Sequence, residues 1–118
     1  MANTKTLNKV LFDTIRDLRK LSNSTGENLY KAVADKLSSS ASQRAQVNLL
    51  QLEKVAKDKE TVIIPGKLLG DGQITKNVTV IAFKASESAI KKLTAAGGKF
   101  IEIREFIKKP TTKPRIIG

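Results

Sequence analysis

Cysteine and histidine are both missing from these 118 residues, and so is tryptophan. With no thiolate and no imidazole, the chain cannot build a Cys/His zinc site, a disulfide framework or the commonest nucleophile and general-base pairings. Acidic residues are scarce too: 11 Asp and Glu stand against 22 Lys and Arg, giving a net charge of +11 and an isoelectric point near 10.1. Such a surface attracts polyanions. Aromatic residues make up only 4% of the chain, so the core must come from Leu, Ile, Val and Ala, and there are few platforms on which splayed bases could stack. No apolar run approaches the roughly 18 residues of a membrane span. No segment sets a Trp- or Phe-rich face opposite lysines, as an interfacial membrane helix does. A membrane is therefore not an expected partner, and neither a cofactor nor a small-molecule substrate is indicated. The first residues, Met1 to Leu7, lack the apolar block of a signal peptide, which gives the expectation of a cytoplasmic protein.

What is there fits one domain, residues 1–118, since a chain of this length buries roughly two-thirds of its unfolded surface. Leu7, Val10, Leu11, Ile15, Leu18 and Leu21 recur at helical spacing and predict a helix over residues 6–22. Asn23 to Gly26 breaks it, and Ser24 with Glu27 three residues on reads as a capping box for a second helix reaching about Leu37. A serine-rich loop, Ser38 to Ser42, follows. Asn48 with Gln51 predicts a capped third helix ending near Ala56.

From Thr61 the pattern changes to β-branched runs, Thr61–Ile64 and Val78–Phe83, read as buried strands bounded by turns at Pro65-Gly66, Asp71-Gly72 and Lys76-Asn77. Ser86 caps a helix carrying Ala89, Ile90 and Leu93, which Gly97-Gly98 ends. Lys99 to Ile103 returns as a strand, Arg104 to Lys109 makes a last helical turn, and Pro110 and Pro114 hold the final residues extended. The reading is an α/β protein: a helical part (1–60), a strand and helix part (61–109) and an extended basic tail (110–118). Both halves carry the same number of cations, but the second has fewer acids and is the stronger electrostatic face.

Ile64 to Gly72 is the most distinctive local pattern. Gly66, Gly70 and Gly72 around Lys67 would let backbone N–H groups approach a phosphate that the ammonium neutralises, or would simply make a turn between strands. It is not a Walker loop, because Leu68 stands where the magnesium-binding hydroxyl belongs. The tail offers Lys108, Lys109, Lys113 and Arg115 without an acid among them, and Ile116-Ile117 indicates that its end docks back on the domain or on a partner. Arg16, Arg19 and Lys20 share neighbouring helix faces, with Asp13 and Asp17 close enough to pair with them. Arg44 is the one charge between Lys36 and Glu53, and Lys84 follows a strand directly. Asp58 with Glu60, or Glu102 with Glu105, could be imagined as an acid and base pair, but neither adjoins a recognisable pocket pattern, and no enzyme is expected.

Taken in order, Leu29–Ala34, Gln46–Leu49, Val62–Gly70, Val78–Phe83, Ala95–Gly98 and Arg115–Gly118 resemble the archaeal eighteen-e family of large-subunit ribosomal proteins over nearly the whole chain. The resemblance implies kinship with bacterial large-subunit protein fifteen, an irregular β-β-α superhelix, and a structural role in the ribosome beside large-subunit rRNA and neighbouring proteins. It makes Pro65-Gly66-Lys67, Lys84 and the C-terminal stretch candidate rRNA contacts. The family tends to carry an arginine cluster before the Val-Asn-Leu segment, where this chain has only Arg44. The expectation is a ribosomal constituent that binds folded rRNA by phosphate neutralisation and shape; an architectural DNA-binding protein or nucleic-acid chaperone is the alternative that the charge alone would also serve.

Overall fold

The structure, a computed structural model, describes residues 2–39, 45–110 and 114–118, with side chains from Lys9 onward. Its elements are α1 (Ala2–Thr25), α2 (Asn28–Leu37), β1 (Ala45–Asn48), α3 (Leu49–Val55), β2 (Thr61–Leu69), β3 (Thr79–Ala85), α4 (Glu87–Ala95), β4 (Lys99–Glu102), α5 (Ile103–Lys108) and β5 (Arg115–Ile116). The expected α/β class holds. All strand pairings are parallel, in the order β1-β2-β3-β4, with β5 also on β2.

A parallel sheet has to be covered on both faces, and the β-branched runs supply side chains to each. Val62, Ile64, Val80 and Ala82 pack with Leu49 and Leu52 of α3 and with Ala89 and Leu93 of α4. Ile63 and Ile81 face the other way, against Ile15 and Leu18 of α1, Tyr30, Val33 and Leu37 of α2, and Phe106 of α5. The Tyr30 and Phe106 rings meet at 6.3 Å with a 39° tilt. Thr14, fully buried in α1, satisfies its hydroxyl by donating to the Val10 carbonyl at 2.7 Å.

Three expectations are corrected. Ser24 does not open the second helix: α1 runs on to Thr25, and the Ser24 hydroxyl donates backward to the Leu21 carbonyl. Gly26, at φ +75°, turns the chain instead, and the residue preceding α2 is Glu27, which makes no side-chain cap bond. The first half is not helical throughout, because Ala45–Asn48 pairs with Gly66–Leu69 as β1. Pro65-Gly66 is not a turn but lies inside β2.

The last correction explains the geometry of β2. Against β3, Ile64 pairs with Ala82 and Lys67 with Lys84, so β2 uses three steps where β3 uses two, a bulge at Pro65-Gly66. On its other side β2 pairs with β5 at Val62-Ile63 and with β1 from Gly66 onward. Pro65 has no N–H to donate and falls at the seam between these ladders, where a proline is tolerated in a strand. A Cβ on Gly66 would stand 1.9 Å from the Ala45 carbonyl oxygen, so only glycine permits the close approach of β1.

Two caps stand as expected. Asn48 accepts from the Gln51 N–H at 2.9 Å while the Gln51 side chain accepts from the Asn48 N–H at 3.0 Å. Ser86 accepts from the Ala89 N–H at 3.3 Å, and Gly97 at φ +86° follows α4.

Candidate nucleic-acid interface

The bulge sets Lys67 and Lys84 side by side, on strands that in a sheet lie about 4.8 Å apart. Both are exposed, and neither makes an ion pair or side-chain hydrogen bond among the described residues. Like charges directly opposite each other weaken a sheet; an anion between them removes that repulsion. They lie toward the carboxyl ends of β2 and β3, where open α/β sheets hold their ligands. A groove of about 390 Å³ opens there, lined also by Ser86 at the start of α4 and by Arg104.

The three glycines shape this neighbourhood by allowing close packing. Gly66 admits β1, as above. A Cβ on Gly70 would stand 2.0 Å from the Ser88 hydroxyl oxygen, and Gly72, at φ +95°, lies against Leu50. The carbonyls of Gly70 and Gly72 both accept from the Lys92 ammonium, at 2.9 and 3.0 Å, and the Asp71 carbonyl accepts from the Leu50 N–H at 3.1 Å. The segment is thus a pinned connection between α3 and α4 that leads from the lysine pair.

The helix-one cations are largely self-paired. Arg16 meets Asp13 at 3.5 Å and Asp17 at 3.4 Å, and Arg19 reaches Asp35 on α2 at 3.6 Å. Lys20 is exposed beside them. Asp17 also accepts from Arg104 at 2.9 Å, tying α1 to α5. Burial alone would raise the Asp17 pKa, but the hydrogen bonds from Arg104 and Arg16 hold it below its ordinary value.

At the C-terminus, Lys108 pairs with Glu105 at 3.6 Å, and Lys109 is exposed. Arg115 is committed inward: its Nε donates to Glu60 Oε2 at 2.6 Å, and a terminal nitrogen donates to Glu60 Oε1 at 2.9 Å and to the Val55 carbonyl at 2.8 Å. This two-pronged contact raises the Arg115 pKa. The same bonds, with the Lys57 N–H, bring Glu60 down to about 2. The Ile117 N–H donates to the Ile63 carbonyl at 3.0 Å. Ile116 packs toward the α1 side of the sheet and Ile117 toward the α3 side, so the docking indicated by Ile116-Ile117 is real. Lys113, Arg44 and residues 40–42 of the serine-rich loop lie outside the described residues.

Sequence reasoning missed the roles of Arg104, Lys92 and Lys76. Lys76 donates to the Glu53 and Ala56 carbonyls at 2.7 and 2.8 Å, closing the end of α3. Each of these partners is distant in the chain, so no local spacing announces it. Phe12 lies off the buried stripe of α1 and is 72% exposed.

The fold and this surface define a class: a basic α/β protein with paired lysines at the carboxyl ends of a parallel sheet. Among the described residues there is no cluster of potential metal ligands, and no helix is long and apolar enough to cross a membrane. Residues 16–101 match the family described as ribosomal proteins 50S-L15, 50S-L18e and their 60S counterpart. Similar proteins include large ribosomal subunit protein eL18 of Picrophilus torridus, 40% identical over 84% of this chain and 81% of that protein. The eL18 of Methanopyrus kandleri is 39% identical over 92% and 89%, and that of Archaeoglobus fulgidus 43% identical over 69% of each. The chain belongs to this family of ribosomal proteins, which are structural rather than enzymatic.

Proposed function

We propose that residues 1–118 work as one domain in the archaeal large ribosomal subunit, in the cytoplasm, binding and stabilising folded large-subunit rRNA through phosphate and shape contacts. The observation that carries the contact is the bulge-aligned Lys67 and Lys84 pair. It offers two uncommitted ammoniums at one spot, where a backbone phosphate relieves their repulsion. Gly66, Gly70 and Gly72 serve it indirectly, by fixing β2 and the following segment. Lys109 and Lys113 extend the contact along the chain end, and Lys108, Arg16, Arg19, Lys20 and Arg44 are peripheral contributors. Neighbouring ribosomal proteins cover part of the remaining surface.

Sucrose-gradient fractionation of cell extract tests the assignment. The protein should co-migrate with the large subunit through moderate salt; a free or chromatin-bound pool instead would favour an architectural DNA-binding role and refute the ribosomal one. For the site, Lys67→Gln and Lys84→Gln should each weaken rRNA binding and reduce the slope of log K against log salt by about 1. Unchanged slopes would remove the pair from the interface.

A further inference from the structure

The groove beside the lysine pair contains more than phosphate binding requires. Half-buried Phe83 and Phe100 line it, together with Val10 of α1 and Ile90 of α4. So does the exposed carboxylate of Glu102, which has no ion pair among the described residues. A surface made only for phosphates gains nothing from a carboxylate, which repels them, or from partly exposed rings. About 390 Å³ lies within the range of small-ligand pockets. It is too small for a helix and large enough for one nucleotide.

We infer that this groove receives a single unpaired RNA nucleotide, its phosphate at Lys67 and Lys84 and its base against Phe83 and Phe100, a proposal that rests on the rRNA-binding reading above. Rings and aliphatic walls suit the face of any base. Glu102 gives it a preference. An ionised carboxylate only accepts hydrogen bonds, so it pairs with a base edge that donates. Guanine offers two adjacent donors, N1–H and the N2 amino group, and matches a carboxylate best. Uracil offers a single N–H flanked by two carbonyls that a carboxylate repels. Arg104 is already held by Asp17 and serves as the fixed wall beside Glu102.

The test is a ¹H–¹⁵N NMR titration of the full chain with 5′-GMP, 5′-UMP and ribose 5-phosphate. GMP should bind with Kd on the order of 1 mM, shifting the amides of residues 83–86 and 100–102. UMP should bind about threefold more weakly, and ribose 5-phosphate should shift only residues around Lys67 and Lys84. Glu102→Gln, an exposed and mild change, should bring GMP and UMP within about twofold of each other. Phe100→Leu should weaken both nucleotides without altering ribose 5-phosphate. Equal binding of all three ligands, or no binding at the groove by any of them, overturns the nucleotide site. Neither result touches the ribosomal assignment, which fails only by loss of co-migration with the large subunit.

Discussion

A guanidinium in a basic tail invites assignment to RNA, but Arg115 has both prongs on Glu60 and a third bond to the Val55 carbonyl. It anchors the chain end. Arg115→Ala should therefore lower stability by about 1 kcal/mol in a urea titration, because the charge-assisted bonds are partly exposed to solvent. If Arg115→Ala left stability unchanged while flattening the salt dependence of rRNA binding, the anchoring role would be wrong. Glu60 adds a pH signature. Its carboxyl, held at about 2 in the fold against an ordinary 4.5, gives stability that is complete above about 4.5 and drains away as the pH falls toward 2. Wild-type protein should lose stability over that window more steeply than Glu60→Gln. At this scale the sequence was a poor guide: the positive charges were countable, but which of them were free depended on partners such as Asp35 for Arg19 and Asp17 for Arg104, on other elements.

Elements were legible where their signals were local. Asn48 and Gln51 stand three residues apart and cap α3 as their spacing indicated, and Asn48→Ala should cost about 1 kcal/mol in thermal unfolding. Ser24 and Glu27 carry the same spacing and do nothing of the kind, since α1 continues through Ser24 and Gly26 makes the turn. A capping pattern fixes a helix start only if the preceding helix has already stopped. β1 was hidden for another reason. Four residues with one buried side chain, Val47, carry no periodicity of their own; Ala45–Asn48 becomes a strand because β2 offers an edge there. Gly66→Ala tests that dependence. Its Cβ would collide with the Ala45 carbonyl, so the substitution should cost about 3 kcal/mol and displace β1; a variant melting like wild type would mean β1 is dispensable.

Across the whole molecule, the α/β class and the family were legible from the ordered series of segments, which spans both faces of the sheet. The candidate site was not. Lys67 and Lys84 could each be named from the chain, but their adjacency depends on one extra residue in β2, which no spacing rule reveals. Net charge proved the least specific guide, because much of it is answered internally and only part is presented to a polyanion.

The two strands that share one side of β2 also set an order of events. The edge at Val62 and Ile63 is closed by residues lying far downstream, Arg115 being 55 positions beyond Glu60. During synthesis that edge stays open for the time it takes to add those residues, presenting unpaired backbone on which another nascent chain could template. A chain interrupted before Pro114 would keep the lysine pair and yet carry a permanently unpaired edge, so its hazard would be self-association rather than failure to meet RNA.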